Sequence, residues 1–317
     1  MTPRDKALFA ALFLFLPVIA VGFDWALGTT LLALVVLLAV AWFITLRSLA
    51  RRRQSPDYEL ETITMSHFAE KVRWCLDVLG VEYRENTWIG TLGAFYLGRT
   101  VPKLSFQTGA VRSSIGNSAE ILRYLWGANS DDPAAAFLAP SEERAALEKQ
   151  IDRAGVSLQI WVYYHILDDK AVALRSWGAD DERVPAWQRF MIRLLFPVQR
   201  FLIRKSFRIN DSSYQRSCHF IDEFLADIDT RVSDGRKSIL GDAEPNYTDY
   251  AFAAIMGLWL QPQHYGGELG FRSHIEDAMR PRDMQNDIAR WREDHPKAVA
   301  FVESLYADRL IREAQQA

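Results

Sequence analysis

Apolar and polar positions divide this chain into three kinds of pattern. Residues 7–23 form a run of 17 side chains without a charge, and residues 25–46 add 22 more. A bilayer core takes roughly 20 apolar residues per helix, so both runs are long enough to span one, with Asp24 at a tight turn between them. After a polar stretch at 54–57, residues 58–64 alternate with period two, as a half-buried strand does. Phe68, Val72, Leu76 and Leu79 then recur at helical spacing, and Gly80 stops the helix. Residues 81–86 read as a second strand, and a strand–helix–strand unit with so short a crossover predicts a parallel pair.

Beyond this unit, residues 98–106 are strand-like but interrupted by Pro102, which marks an edge, a bulge or a cis turn. Residues 107–109 make a hairpin turn, 110–112 the returning strand, and Asn117 with Glu120 caps a helix that runs through Leu125. From Ser141 onward helical periods dominate. A long helix continues towards Ile166 and carries Trp161, Tyr163, Tyr164 and His165. Residues 189–209 are apolar and basic, broken by Pro197; they read either as a buried helix with a basic edge or as a helix lying on a bilayer or roofing a cleft. Asn246 and Asp249 have capping-box spacing before an apolar helix.

Charge adds direction to this pattern. The net charge of −3 is uneven: Arg4, Lys6, Arg47, Arg51, Arg52 and Arg53 outnumber Asp5 and Asp24 at the N-terminus, and the remainder is acidic. An acidic body excludes nucleic acid, which needs a concentrated basic face. The basic residues flank both ends of the two apolar runs, so the positive-inside bias places both ends, and the body, on the cytoplasmic side of a two-span membrane anchor. The lack of a small-x-small cleavage site and the immediate second run disfavour a signal peptide. The two cysteines, Cys75 and Cys218, form no CxxC pair, and no cluster has zinc-ligand spacing, so no metal is expected.

Ser66 carries the candidate chemistry. It stands between a strand and a helix start, where N–H groups and the helix dipole favour an anion such as a thiolate. Ser is also a common N-cap, which is a purely structural role. His67 reads as a partly exposed loop histidine, Lys71 and Arg73 as ligand contacts or a solvated helix face, and Cys75 as a buried small hydrophobe.

The order strand, Ser-x-Phe-x-x-Lys-Val-Arg-Trp helix, strand, Val-Pro-x-Leu, hairpin, Asn-Ser-x-x-Ile-Leu-x-Tyr-Leu resembles the thioredoxin-like half of cytosolic-type glutathione transferases, in a bacterial subgroup. With the helical remainder, the resemblance covers about residues 58–313. It implies an α/β thioredoxin-like domain at 58–128, a linker at 129–140 and an all-α bundle at 141–317; the transmembrane helical hairpin at 1–46 and the basic linker at 47–57, read from the apolar runs and charges, are not part of the family's usual pattern. It implies that Ser66 stabilises the glutathione thiolate, with His67 and Phe68 beside it. Val101 and a cis Pro102 would position the cysteinyl backbone, and Asn117 with Ser118 would take the γ-glutamyl group. Trp161, Tyr164 and His165 would line the cleft for a hydrophobic electrophile. Glutathione is then the co-substrate, and a homodimer and the lipid bilayer are further expected partners. Asn117 stands where the family carries an acid, and Ala69 where related bacterial sequences carry cysteine, which excludes a mixed disulfide there. Asp249 would be a structural helix-start acid. The alternatives are a non-catalytic, metaxin-type scaffold at a membrane, or a glutathione-dependent reductase or dehalogenase.

Overall fold

A computed structural model of the chain describes residues 27–50, 56–88, 92–93, 101–109, 111–267 and 270–316. It divides into two compact units, one of residues 1–58 with 105–114 and the other of residues 59–104 with 115–317. The four strands are β1 (Asp57–Glu61), β2 (Tyr83–Asn86), β3 (Lys103–Thr108) and β4 (Val111–Gly116), in sheet order β2-β1-β3-β4. The hairpin between β3 and β4 turns at Gly109, whose φ of 63° suits a residue without a Cβ. Pro102 follows a cis peptide bond with Val101, one of the three conformations its place in the pattern allowed.

In the first unit, α1 (Leu27–Ala50) is a 24-residue apolar helix. Leu37 and Ala41 are buried on it, while Leu34, Val35, Val36, Leu38, Val40, Trp42, Phe43 and Leu46 are exposed. The transmembrane hairpin expected for residues 1–46 does not emerge from the described residues. Its first run lies outside them. Among them no helix is long and apolar enough to cross a membrane.

In the second unit, α2 (His67–Leu79) begins at Ser66 and ends at Gly80, whose φ of 68° closes the helix in the left-handed region. Its apolar face, with Val72, Leu76 and Leu79, is buried as the spacing predicts. The helices α3 (Ser118–Asn129), α4 (Glu142–Ile166) and α5 (Lys170–Ser176) follow, each started by a side-chain cap from Asn117, Ser141 or Asp169. The basic segment forms two helices, α6 (Ala186–Leu194) and α7 (Phe196–Ser206). Pro197 sits in the first turn of α7, where its missing N–H is not needed. The chain continues through α8 (Asp211–Arg231), α9 (Tyr247–Leu260), α10 (Arg282–Asp294) and α11 (Pro296–Gln316).

Helix α9 is the hub, with every residue from Tyr247 to Leu260 buried. Trp74 of α2 stacks on Tyr250 of α9 at 5.6 Å and meets Tyr306 of α11 edge-on at 4.4 Å. The Arg309 guanidinium lies 5.0 Å above the same indole. These contacts tie the helix after β1 to the helical bundle, so the compact unit runs across the linker expected at 129–140. Asp249 caps α9: its carboxylate accepts from the backbone N–H of Asn246 (2.8 Å) and of Ile239 (2.7 Å). That is the structural role expected of it.

Lys71 and Arg73 are not a solvated face; both are fully buried. Lys71 pairs with Glu148 (2.8 Å) and Asp152 (3.0 Å). Arg73 pairs with Glu70 (3.0 Å) and Glu85 and donates to Thr62. Burial opposes the charged form of Glu70, but Arg309 and Arg73 outweigh it and hold the carboxyl below the usual range. Arg309 donates to Glu70 at 2.7 Å, and the Gly266 N–H and Tyr306 hydroxyl complete its shell. Such a pair needs every lone pair satisfied to be tolerated inside, and here it has four donors. Cys75 is buried, and desolvation pushes its thiol far up, so it is inert.

Candidate functional site

Within the second unit, the start of α2 forms one wall of a cavity of about 540 Å³. Ser66, His67, Phe68 and Val101 line it together, so four of the sequence-predicted residues converge. Pro102, Asn117 and Ser118 lie outside this lining. Asn117 caps α3, its side chain accepting from the Ala119 N–H at 2.9 Å, with Ser118 buried behind it. Asn117 holds φ 71° and ψ 126°, a conformation that non-glycine residues adopt at a cost and that clusters at ligand clamps.

Ser66 caps α2 by accepting from the Ala69 N–H at 3.2 Å. That bond uses an oxygen lone pair and leaves the hydroxyl proton free to donate. The structural and the chemical roles of this serine are therefore compatible.

His67 differs from its expected exposed position. It is the first residue of α2 and only 4% exposed. Desolvation brings its pKa down to about 4, only partly offset by a hydrogen bond to the Gly155 carbonyl. Its Nε2 is buried with no partner among the described residues, which leaves that bond to Nδ1–H. The ring is thus neutral near pH 7, and its Nε2 is a buried acceptor without a partner among the described residues. A buried polar atom left unpaired costs about 1–3 kcal/mol. Gly155 allows this packing: a Cβ there would come within 2.9 Å of Phe68 Cζ and 3.2 Å of His67 Cδ2.

The opposite wall comes from α4, through Gln159, Val162, Tyr163 and Ile166. Their spacing of three, four and seven from Gln159 is one helix face. Trp161, Tyr164 and His165, expected to line the cleft, occupy the other face, because each residue turns the helix by about 100°. Trp161 is core, its indole N–H donating to Asp287 at 2.8 Å. His165 Nε2 lies 3.2 Å from the same carboxylate, and Tyr164 stacks on Tyr214 at 4.1 Å. Tyr163 is the aromatic residue that faces the cavity; burial raises its pKa, and a hydrogen bond from Gln159 opposes that shift.

Residues that the sequence pattern did not single out complete the lining. Trp177, Leu258, Gln261 and Ile275 form part of the wall, and Leu202, Ile203, Ser206 and Phe207 lie along and just past α7. The last group puts part of the 189–209 segment on the cavity wall. The helical spacing of 159, 162, 163 and 166 was readable in advance; the contribution of Gln261 and Ile275 was not. No charged side chain among the described residues lines the cavity. It offers hydroxyl, amide and imidazole groups at a few points and apolar surface elsewhere, which suits an uncharged, largely apolar ligand.

No protein-family profile matches the chain, and no curated protein matches it. Among solved structures it is similar to a glutathione S-transferase from Methylobacterium radiotolerans in complex with glutathione sulfonate, at 17% identity over 79% of this chain and 91% of that one, with a TM-score of 0.46. A glutathione S-transferase from Rhodospirillum rubrum gives 17% identity, 77% and 86% coverage and a TM-score of 0.39. A maleylacetoacetate isomerase from Anaeromyxobacter dehalogenans, with dicarboxyethyl glutathione and citrate bound, gives 19%, 74%, 91% and 0.38.

Proposed function

We propose that the chain is a glutathione transferase-like enzyme that activates the glutathione thiol for attack on a hydrophobic electrophile. The observation that carries this reading is the convergence of Ser66, with its free hydroxyl proton, His67 and Val101 on one cavity that no charged side chain among the described residues lines. The thiol belongs at the polar end. There the Ser66 O–H donates to the thiolate, and the N-terminus of α2 favours its charge. Val101 pairs through its backbone with the cysteinyl residue. Asn117 and Ser118, outside the cavity, take the γ-glutamyl end, so the glutathione carboxylates stay out of an uncharged pocket. The apolar remainder, including Tyr163 and Phe207, holds the electrophile. Rate then comes from a stabilised thiolate held next to its target.

The same reading places the protein on a membrane, with its body cytoplasmic. The exposed apolar side chains of α1, from Leu34 to Leu46, support this, since contiguous exposed apolar surface of that size marks a membrane or protein contact.

The test is calorimetric titration of the full chain, in detergent, with glutathione, followed by turnover of a panel of aryl halides, wild type beside Ser66→Ala. Binding and turnover that both require Ser66 are expected. Absence of binding at millimolar glutathione would overturn the enzyme reading and favour the scaffold alternative. Turnover indifferent to Ser66→Ala would take the serine out of its role.

A further inference from the structure

The outer face of α6 and α7 carries an apolar stripe that the cavity does not use. Trp187, Phe190, Leu194, Val198 and Phe201 are each exposed, Phe190 and Phe201 by more than 60%. Their spacing of three, four, four and three residues continues one line across both helices. Trp88 adds to it, exposed and 6.2 Å from the Trp187 ring.

The charges that the two helices themselves carry are of one sign. Residues 186–209 contain five arginines and one lysine and no acid. Arg193 pairs with Asp180, and Arg200 and Arg204 with Asp168. Lys205 and Arg208, both exposed, have no acidic partner among the described residues, and the Lys205 ammonium lies 6.0 Å over the Phe201 ring. Aromatic and aliphatic side chains in a row, bordered by unneutralised cations, match the two layers of a bilayer surface, where apolar groups enter the acyl boundary and cations meet anionic headgroups.

We infer that this stripe is a bilayer contact, separate from the N-terminal apolar segments, and that it seats the protein on a surface containing anionic lipid. Its partner chemistry is the anionic headgroup over an acyl layer. One consequence concerns the enzyme: the opposite face of α7 supplies Leu202, Ile203 and Ser206 to the cavity. The cavity roof is then itself the membrane-contacting helix, and an apolar electrophile dissolved in lipid reaches the site across the thickness of one helix.

The inference rests on the membrane reading above, and the experiment separates the two. The full chain is reconstituted in vesicles of phosphatidylcholine with one quarter phosphatidylglycerol. Nitroxide labels are placed at Leu38→Cys, Phe190→Cys, Phe201→Cys and the exposed control Asp227→Cys, and the unsubstituted chain labelled in parallel supplies the background. Accessibility to oxygen relative to a water-soluble nickel chelate is expected to be several-fold higher at 38, 190 and 201 than at 227. In phosphatidylcholine alone, the values at 190 and 201 are expected to fall towards the control while 38 is unchanged. Lipid exposure at 38 with aqueous values at 190 and 201 would overturn this inference and leave the anchor standing; aqueous values at all four would overturn both. Spin–spin broadening at 190 and 201 that is relieved by dilution with unlabelled protein would assign the stripe to a second copy of the chain and overturn the lipid assignment.

Discussion

Two helix starts in this protein use the same device for different ends. At the start of α9, Asn246 and Asp249 form a closed capping box, and Asp249 also takes the Ile239 N–H, so the carboxylate is satisfied inside the core. At the start of α2, Ser66 accepts one backbone N–H, its hydroxyl proton remains free, and it lines a cavity together with His67. A cap whose bonds are complete holds structure. A cap with an unused donor beside a cavity has capacity left for a ligand. The residue types alone do not separate the two cases; the remaining valence does.

The sharpest way to break this comparison is Asp249→Ala. Two buried backbone N–H groups lose their acceptor, at about 1–3 kcal/mol each, so a stability loss of about 3 kcal/mol is expected in denaturant unfolding, with glutathione affinity of the folded fraction unchanged. A loss of affinity without a loss of stability would reverse the roles assigned to the two corners.

Acid sharpens it further, because the two corners titrate with opposite sign. His67 has a folded pKa of about 4 against 6.5, so in that window the unfolded chain holds the extra proton and stability falls as pH falls. Burial pushes Asp249 up to about 6 from 3.8, against the pull of its two N–H donors. Between those values the folded chain holds the extra proton, so stability rises as pH falls. Each shift corresponds to roughly 3 kcal/mol, and the two contributions largely offset one another between pH 6 and 4. Compared with the unsubstituted chain, Asp249→Asn is expected to lose stability more steeply over this interval and His67→Phe less steeply. Chemical denaturation at pH 7 and pH 4.5 measures both, and parallel profiles for the two variants would contradict the assignment.

Ser66→Ala comes next in size. Turnover is expected to fall about 100-fold, as for loss of one preorganised donor, with about 1 kcal/mol of stability lost with the cap. The smallest effect belongs to Tyr163→Phe. Tyr163 also lines the cavity, but from α4 and with its hydroxyl bonded to Gln159, so turnover is expected to be essentially unchanged. A loss as large as that of Ser66→Ala would move the thiolate donor to the other wall.

Local signals in the sequence reported local structure faithfully. Caps at Ser66, Asn117, Ser141 and Asn246, the stop at Gly80 and the turn at Gly109 all sit where neighbouring residues placed them. What escaped depends on partners far along the chain. Lys71 and Arg73 look like a wet helix face because all of their acids but Glu70, namely Glu148, Asp152 and Glu85, lie off that helix. His67 looks exposed because Gly155, which packs against its ring and accepts its hydrogen bond, belongs to α4, far along the chain. In α4 the error was one of angle: aromatic character favoured Trp161, Tyr164 and His165, whereas the cavity takes the face of Gln159, Val162 and Tyr163.

Gly155 has a further consequence. A glycine inside a long helix weakens it by about 1 kcal/mol relative to alanine, yet here a methyl group would meet Phe68, Ile255 and His67 within 3.2 Å. The helix gives up that stability for clearance. Position 155 does not line the cavity, but whatever occupies it presses on the backs of two residues that do. It is therefore a tuning screw for the width of the site: one added methyl would advance the His67 and Phe68 rings into the cavity and narrow the range of molecules it admits, without changing any group that touches them.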